Sequence, residues 1–507
     1  MGAWRQELIA SISVAIVIVA GLLRFSGLEL RPMHVDEATG ARILASRMET
    51  GEYAFDPRHF HGPFLGQTIE PVARLFGQTT WESLSATLLR SQTAIAGCLL
   101  VLLPLLWRSW MGIRGALLSG ALLATSPLLV YYNRMYIHES LLALMCLACL
   151  TFILQWLQSR RTRWACLAGA FAGMAFATKE TFVITVLSWL AAGLLVGWAA
   201  AIDELRSTWK QRGTGFLLGI GVAVVTTVLL YTDCFRHPQG ALDAVKTLFV
   251  YETGFGHDHP WFFYLELLLL PKWRLSILWG EGLVLVLALM ALAGLLVKGS
   301  ASLDPVRRRI LSFLAVAALG QLAIYSCIGY KTPWLMMVPW AHFLIMAGFI
   351  CTGVFGRSLV LGAASLTVIL AGWQSVAATG RLANDARNPY AYAPTTRDVM
   401  GLRAWLSDLE AMVHPDRMEP LAVVGTGYWP LPWYLRGLGA TGYWARVPDG
   451  AEQMPVVIVM PGEFESAEAT LGSTHAAFPR SLRDNTPILL FLRNDLWERW
   501  MDTEPVE

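Results

Sequence analysis

The stretch LIASISVAIVIVAGLLR, residues 8–24, decides the fold class. It carries no charge before Arg24 and is close to the length, about 20 residues, that a helix needs to cross roughly 30 Å of hydrocarbon. Ten further apolar runs follow, at about 91–107, 115–132, 139–157, 164–178, 181–200, 215–232, 276–297, 310–328, 335–355 and 358–377. The run at 164–178 is short, and Trp261–Leu270 is apolar but too short to span, as a re-entrant or interfacial helix would be. The first run lacks a small-residue cleavage site and has many spans after it, so it reads as a retained helix rather than a signal peptide.

Composition agrees. The 507 residues are 55% hydrophobic and 15% charged, against about 25% charged in soluble domains. The net charge of +2, with no basic patch interleaved with aromatics, gives no sign of nucleic-acid binding. Six of the seven cysteines (Cys98, Cys146, Cys149, Cys166, Cys327, Cys351) lie in or beside apolar runs and read as small core residues, while Cys234 is in a loop. The predicted fold is mainly α, a polytopic membrane helix bundle over 1–378 with a small α/β domain over 379–507.

Basic residues set the expected orientation. Arg160, Arg161 and Arg163 lie in one loop, Arg206, Lys210 and Arg212 in a second, and Lys298, Arg307, Arg308 and Arg309 in a third. With a cytoplasmic N-terminus all three face the cytoplasm, as positive-inside sorting requires. Loops 25–90 and 233–275 and the tail then lie outside the cytoplasmic (inner) membrane. In the tail the apolar runs shrink to strand length at Leu421-Ala-Val-Val, Pro455-Val-Val-Ile-Val-Met and Pro487-Ile-Leu-Leu-Phe-Leu, with a helical stretch at Asp398–Met412. Gly425-Thr426-Gly427 lacks the rest of a dinucleotide fingerprint.

Five polar clusters fall on that expected outer side. HVDEA starts at His34 and holds the carboxylates Asp36 and Glu37, and the same loop continues with DPRHFHGPF, containing His59 and His61. A carboxylate at the mouth of a membrane cavity is partly desolvated and serves as a base; an acidic pair in the first turn of a helix is equally what the helix dipole favours. YNRMYIHES supplies Arg134, His138 and Glu139; ATKET supplies Lys179 and Glu180, charges at membrane depth that usually carry function or form a structural ion pair. GFGHDHPW holds His257 and His259, spaced as metal ligands or as a plain loop, and GYKTPW holds Lys331. Arg134 and Lys331 sit where a lipid phosphate would meet a cation, or where a long basic side chain snorkels.

The ordered set HVDEA, DPRHFHGPF, YNRMYIHES, ATKET, HPWFFYL, GYKTPWL and GYWPLPWYLRG resembles the GT-C superfamily of membrane glycosyltransferases. Within it, the set resembles the family 39-like protein O-mannosyltransferases and aminoarabinose transferases, and above all the bacterial and archaeal proteins known as flippase activity-associated. The resemblance implies an inverting transfer of sugar from a polyprenyl-phosphate donor to a glycan, lipid or protein acceptor on the outer face. Asp36 would be the general base, Glu37 and Glu139 further acidic residues of the centre, and Arg134 and Lys331 the cations facing the leaving phosphate. His34, His59, His61, His138, Lys179, Glu180, His257 and His259 would line the substrate. No cofactor is certain; some relatives use a divalent metal, for which Glu139 and His61 would be the ligands. The competing reading is a lipid-linked sugar transporter or flippase-associated protein without transferase activity. Transporters tend to place polar residues at mid-bilayer in broken helices of matched halves, whereas here they gather at span ends. The abundant Trp and Tyr, 21 and 14 copies, suit sugar rings and the membrane interface alike.

Overall fold

A computed structural model describes residues 3–53, 55–197, 201–252, 256–295, 304–352, 355–412, 421–438 and 440–503, without the side chains of 201–212. Lys298, Gly254 and Phe255, used in the sequence reading, lie outside the described residues, as do the side chains of Arg206, Lys210 and Arg212. Contacts divide the chain into two compact units: Met1–Leu28, Thr50–Phe76 and Thr87–Ala383 form one, and Glu29–Glu49, Gly77–Ala86 and Asn384–Glu507 the other. The division expected at 378/379 thus differs, because the tail unit also takes in two pieces of the first long loop.

The helices run α1 (Ala3–Phe25), α2 (Val35–Thr50), α3 (Phe64–Leu75), α4 (Ala86–Leu102), α5 (Arg108–Thr125), α6 (Pro127–Tyr132), α7 (His138–Ser159), α8 (Thr162–Thr178), α9 (Phe182–Gly197) and α10 (Ala201–Tyr231). Then come α11 (Gly240–Val250), α12 (Phe263–Leu268), α13 (Gly282–Ala293), α14 (Pro305–Cys327), α15 (Met337–Gly348) and α16 (Arg357–Thr379). Among the described residues seven helical segments are long and apolar enough to cross a membrane, and α9 and α13 are shorter apolar helices. The chain is a multi-pass membrane protein. The segment Pro333–Thr352, which contains α15, is 89% buried and forms the centre of its unit, whereas α1 is 11% buried and turns its apolar side chains outward.

Packing follows side-chain size. A Cβ on Gly169 of α8 would lie 2.0 Å from the Gly219 carbonyl of α10, and one on Gly173 would lie 2.6 Å from the Ala223 carbonyl. With Ala165, these residues form a small-residue stripe that lets the two backbones approach closely, as in membrane helix pairs generally.

Two predicted spans are interrupted for local reasons. The run 115–132 breaks after Thr125, where Ser126 accepts from the Leu129 N–H and Pro127 opens α6. The run 276–297 loses its start to a hairpin, β1 (Lys272–Arg274) and β2 (Ile277–Trp279), turned by Leu275 and Ser276, both at positive φ. The short apolar stretch Trp261–Leu270 becomes α12.

The tail unit holds α17 (Asp398–Met412), β3 (Leu421–Val424), α18 (Leu431–Leu435), β4 (Thr441–Trp444), β5 (Val456–Val459), α19 (Phe464–Leu471), β6 (His475–Arg483), β7 (Thr486–Arg493) and α20 (Asn494–Thr503). Its sheet runs β4-β3-β5-β7-β6, parallel on the β3 side and antiparallel through the β6–β7 hairpin. Val424, Val457, Val459 and Phe491 meet Ala467 and Leu471 of α19 in its core. The three apolar runs expected as strands are β3, β5 and β7; β4 and β6 are additional, being too polar to read as buried strands.

Glu281 joins three parts of the membrane unit. Its carboxylate accepts from Ser126 Oγ (2.6 Å), Trp340 Nε1 (2.8 Å) and the Leu128 N–H (3.1 Å), and the side chain is buried. Glu281→Ala strands these donors, each buried unpaired donor costing about 1–3 kcal/mol. The expected outcome is a clear fall in the thermal unfolding midpoint of the purified protein in detergent, with Glu281→Gln falling less; an unchanged midpoint in the alanine variant would remove Glu281 from the framework.

Candidate functional site

In the membrane unit, α7 and α8 run antiparallel, so the start of α7 and the end of α8 lie together. Glu139 falls in the first turn of α7 and Lys179 caps α8, each where the helix dipole favours its charge. Lys179 Nζ donates to Glu139 Oε1 at 2.6 Å, and both are buried, 5% and 3% exposed. The next residue, Glu180, accepts through Oε2 from His61 Nδ1 at 3.1 Å, and His61 Nε2 meets Tyr251 Oη at 3.2 Å. The His61 ring stacks on Tyr251 at 4.8 Å and meets the His138 ring edge-on at 5.0 Å. His138 in turn is hydrogen-bonded to the backbone of Gly62. A Cβ on Gly62 would lie 2.0 Å from the Ala177 carbonyl. Only glycine lets this loop press onto the end of α8, which holds His61 against Glu180.

Five of the sequence-selected residues, His61, His138, Glu139, Lys179 and Glu180, therefore form one network. Tyr251 and Tyr325 complete it and were not singled out from sequence. Tyr325 is buried and lies near Lys179 and Glu139; a single tyrosine in an apolar helix gives no signal of its own.

Other selected residues are elsewhere or otherwise engaged. Arg134 donates to the carbonyls of Leu23 (3.0 Å), Ser26 (2.7 Å) and Gly27 (3.1 Å), closing the C-terminal end of α1. Lys331 Nζ donates to the carbonyls of His259 (2.9 Å) and Ile328 just beyond α14. Both were expected as phosphate clamps, but their donors are taken up by main-chain oxygens. The His257–His259 segment pairs with 329–331, through the Lys331 N–H to the His257 carbonyl (2.8 Å) and the His259 N–H to the Gly329 carbonyl (3.2 Å). The rings of these histidines face Tyr330 and Phe263. His59 is exposed and bound to Asp56 Oδ2 at 2.7 Å, a contact that holds the Asp56 carboxyl below its ordinary value.

The acidic pair of the first loop belongs to the tail unit, and its two members differ. Glu37 is fully buried; its Oε2 accepts from the His34 N–H (2.9 Å) and from Arg31 Nη2 (3.1 Å), tying the start of α2. The Asp36 side chain is 50% exposed. Its own N–H donates to His34 Nδ1 at 3.2 Å, and His34 Nδ1 is 3.9 Å from its carboxylate. Burial pushes the His34 imidazole below its ordinary value, against the pull of Asp36 and Glu37, so the ring is neutral at pH 7. Glu37 is thus a structural cap and Asp36 the accessible acid of the pair.

The donor set offers a poor fit for a divalent cation. Glu139 faces the Lys179 ammonium, and both His61 ring nitrogens are engaged by Glu180 and Tyr251. Among the described residues no group of three or more His, Cys, Asp or Glu side chains is placed to hold a metal.

The Lys179–Glu139 pair permits a sharp test. Removing one partner of a buried ion pair leaves an uncompensated charge, costing about 3–5 kcal/mol, while replacing both with apolar residues is often nearly neutral. Lys179→Met alone should sharply lower the unfolding midpoint or the folded yield, and adding Glu139→Leu should recover most of the loss. Additive losses in the double variant would mean the two are not coupled.

The comparisons can now be set beside this geometry. Residues 60–231, which hold the whole network except Tyr251 and Tyr325, match the model of the family described as dolichyl-phosphate-mannose-protein mannosyltransferase. No curated protein sequence matches the chain. Among solved structures, the chain is similar to ArnT from Cupriavidus metallidurans in the apo state, with a TM-score of 0.65 at 16% identity, covering 95% of this chain and 98% of that one. The same protein bound to undecaprenyl phosphate matches with a TM-score of 0.60 at 16% identity over the same shares. The archaeal oligosaccharyltransferase AglB from Archaeoglobus fulgidus, in complex with an inhibitory peptide and a dolichol-phosphate, matches with a TM-score of 0.52 at 14% identity over 98% of this chain and 77% of that one. The chain accordingly shares the fold of ArnT, and about a third of it, residues 60–231, matches the mannosyltransferase family model.

Proposed function

We propose that the protein transfers a sugar from a polyprenyl-phosphate-linked donor to an acceptor hydroxyl on the outer face of the cytoplasmic membrane, with inversion and with Asp36 as general base. The observation that carries the assignment of Asp36 is the division of labour within the acidic pair: Glu37 is buried and bonded to the His34 N–H and Arg31, whereas Asp36 presents a half-exposed carboxylate beside a neutral His34. The likeness to a structure holding undecaprenyl phosphate and to one holding a dolichol-phosphate supports the donor class.

In this reaction the Asp36 carboxylate takes the proton of the acceptor hydroxyl. The acceptor oxygen forms the new bond to the anomeric carbon from the face opposite the phosphate. The anomeric carbon–oxygen bond breaks, and polyprenyl phosphate leaves with the electron pair. A single displacement inverts the anomeric configuration. Stabilising the growing charge on the leaving phosphate lowers the barrier. Arg134 and Lys331, the cations expected to face it, also donate to main-chain carbonyls. The His61–Glu180 and Lys179–Glu139 pairs act as positioning residues that fix the loop after α2 against the start of α7 and the end of α8.

Transfer is measured with the purified protein reconstituted in membrane lipid extract and supplied with radiolabelled polyprenyl-phosphate sugars. Wild type is expected to move label to an acceptor or to release polyprenyl phosphate. Asp36→Asn should insert normally and lose roughly a hundredfold or more of the rate, the scale of general-base catalysis. Full activity in Asp36→Asn would overturn the base assignment. Labelled lipid crossing the bilayer without turnover of any donor would replace the transferase with the transport reading.

A further inference from the structure

A second constellation lies wholly within the tail unit. Arg42 of α2, Trp81 and Glu82 of the segment Gly77–Ala86, Arg403 of α17, and Trp433 and Arg436 at α18 come together there. The Arg436 guanidinium lies flat on Trp433, its carbon 3.3 Å from the ring centroid, and 5.8 Å from the centroid of Trp81. The two indoles meet edge-on at 5.5 Å. Arg42 lies over Trp81 at 5.4 Å, and the Trp81 N–H donates to Glu49 Oε1 at 2.5 Å.

The charges do not balance. Arg42 reaches Glu49 at 3.8 Å. Among the described residues neither Arg403 nor Arg436 has a carboxylate within ion-pairing distance, and Nε and Nη1 of Arg436 are buried with no hydrogen-bond partner. Burial and the neighbouring Arg403 guanidinium bring the Arg436 pKa down to about 10, so Arg436 stays charged at neutral pH. Arg403 and Glu82 both lie against the main chain next to Arg436: a side chain begun at Gly437, at φ +72°, would stand 3.6 Å from Arg403 Nη2 and from Glu82 Cγ. Two neighbouring guanidiniums, one of them stacked on an indole, offer paired N–H donors of the kind that carboxylate and phosphate oxygens accept from. Stacking holds Arg436 in place in advance, so little freedom is lost on binding.

The geometry points to an oxyanion-binding site formed by Arg436 and Arg403, with Arg42 at its edge, that takes the phosphate or carboxylate group of an acidic sugar. On the transferase reading above, which this inference deepens, that group belongs to the acceptor. Binding itself does not depend on turnover, so the two readings fail separately.

The full-length protein in detergent micelles is titrated by calorimetry with glucose 6-phosphate, glucuronate, inorganic phosphate and glucose. Saturable binding of glucose 6-phosphate or glucuronate is expected, weakening as salt is raised, with glucose at least tenfold weaker. Preference for either sugar acid over inorganic phosphate assigns the site to a glycan; equal affinity assigns it to free phosphate. Arg436→Gln and Arg403→Gln should each weaken binding tenfold or more, while Arg397→Gln on the exposed surface should leave it unchanged. Arg403 is not stacked on an indole, so its variant carries the test if Arg436→Gln fails to fold. Absence of binding by every anion, or equal binding in both variants, would reduce the cluster to a structural cation–π stack.

Discussion

In the membrane unit, main-chain groups at helix ends have no bulk water to bond to, and the arrangement follows from where the chain finds partners for them. Basic side chains serve the carbonyl ends. Arg24 donates to Ala124 (3.0 Å) and Leu123 (2.9 Å) at the end of α5 and, through Nε, to Asn133. Arg134 serves the end of α1, and Lys331 the end of α14. An acidic side chain serves a donor end, Glu281 at the start of α6. Each of these charges is buried, and each is used where the helix dipole makes its sign favourable.

This economy separates charges that hold the fold from those left for chemistry. A cation already surrounded by carbonyls has few donors left for a phosphate. Removing it would unfold a helix end before it revealed anything about catalysis. The same reasoning divides the acidic pair of the first loop. Glu37 is the reciprocal partner of the His34 N–H at the start of α2, in the manner of a capping box. Asp36, one residue earlier, points away from that bond and remains accessible. Side-by-side carboxylates in a helical first turn cannot share a face, so one being anchored leaves the other free to act.

What the sequence made legible follows from the range of each signal. Hydrophobic length is local, and the eleven apolar runs correspond to α1, α4, α5 with α6, α7, α8, α9, α10, α13, α14, Pro333–Thr352 and α16. Polar residues at span ends are also local, and ATKET with YNRMYIHES and HGPF yielded the central network. Partnership is not local. Nothing near Arg134 in sequence announces that α1 ends beside it, and Glu281 sits in an ordinary Trp-Gly-Glu-Gly segment. The division of units was illegible for the same reason: the affinity of 29–49 and 77–86 for the tail depends on contacts hundreds of residues apart. The hairpin at 272–279 was hidden because β2, Ile-Leu-Trp, merges with the apolar span that follows and a three-residue strand such as Lys-Trp-Arg is too short to show a period.

Within the tail unit, contacts far apart in sequence hold the segment that carries Asp36. Met33, three residues before Asp36, is gripped on both main-chain atoms: its N–H donates to Tyr434 Oη at 2.7 Å and its carbonyl accepts from Thr395 Oγ1 at 2.7 Å. The His34 ring is hydrogen-bonded to the backbone of Tyr392. A segment linking a membrane helix to α2 would otherwise sample many conformations, and a base displaced by about an ångström loses much of its effect. Three tail residues therefore set the position of Asp36, the accessible acid of the pair. A substitution at Thr395 or Tyr434 would act on the placement of Asp36 through Met33.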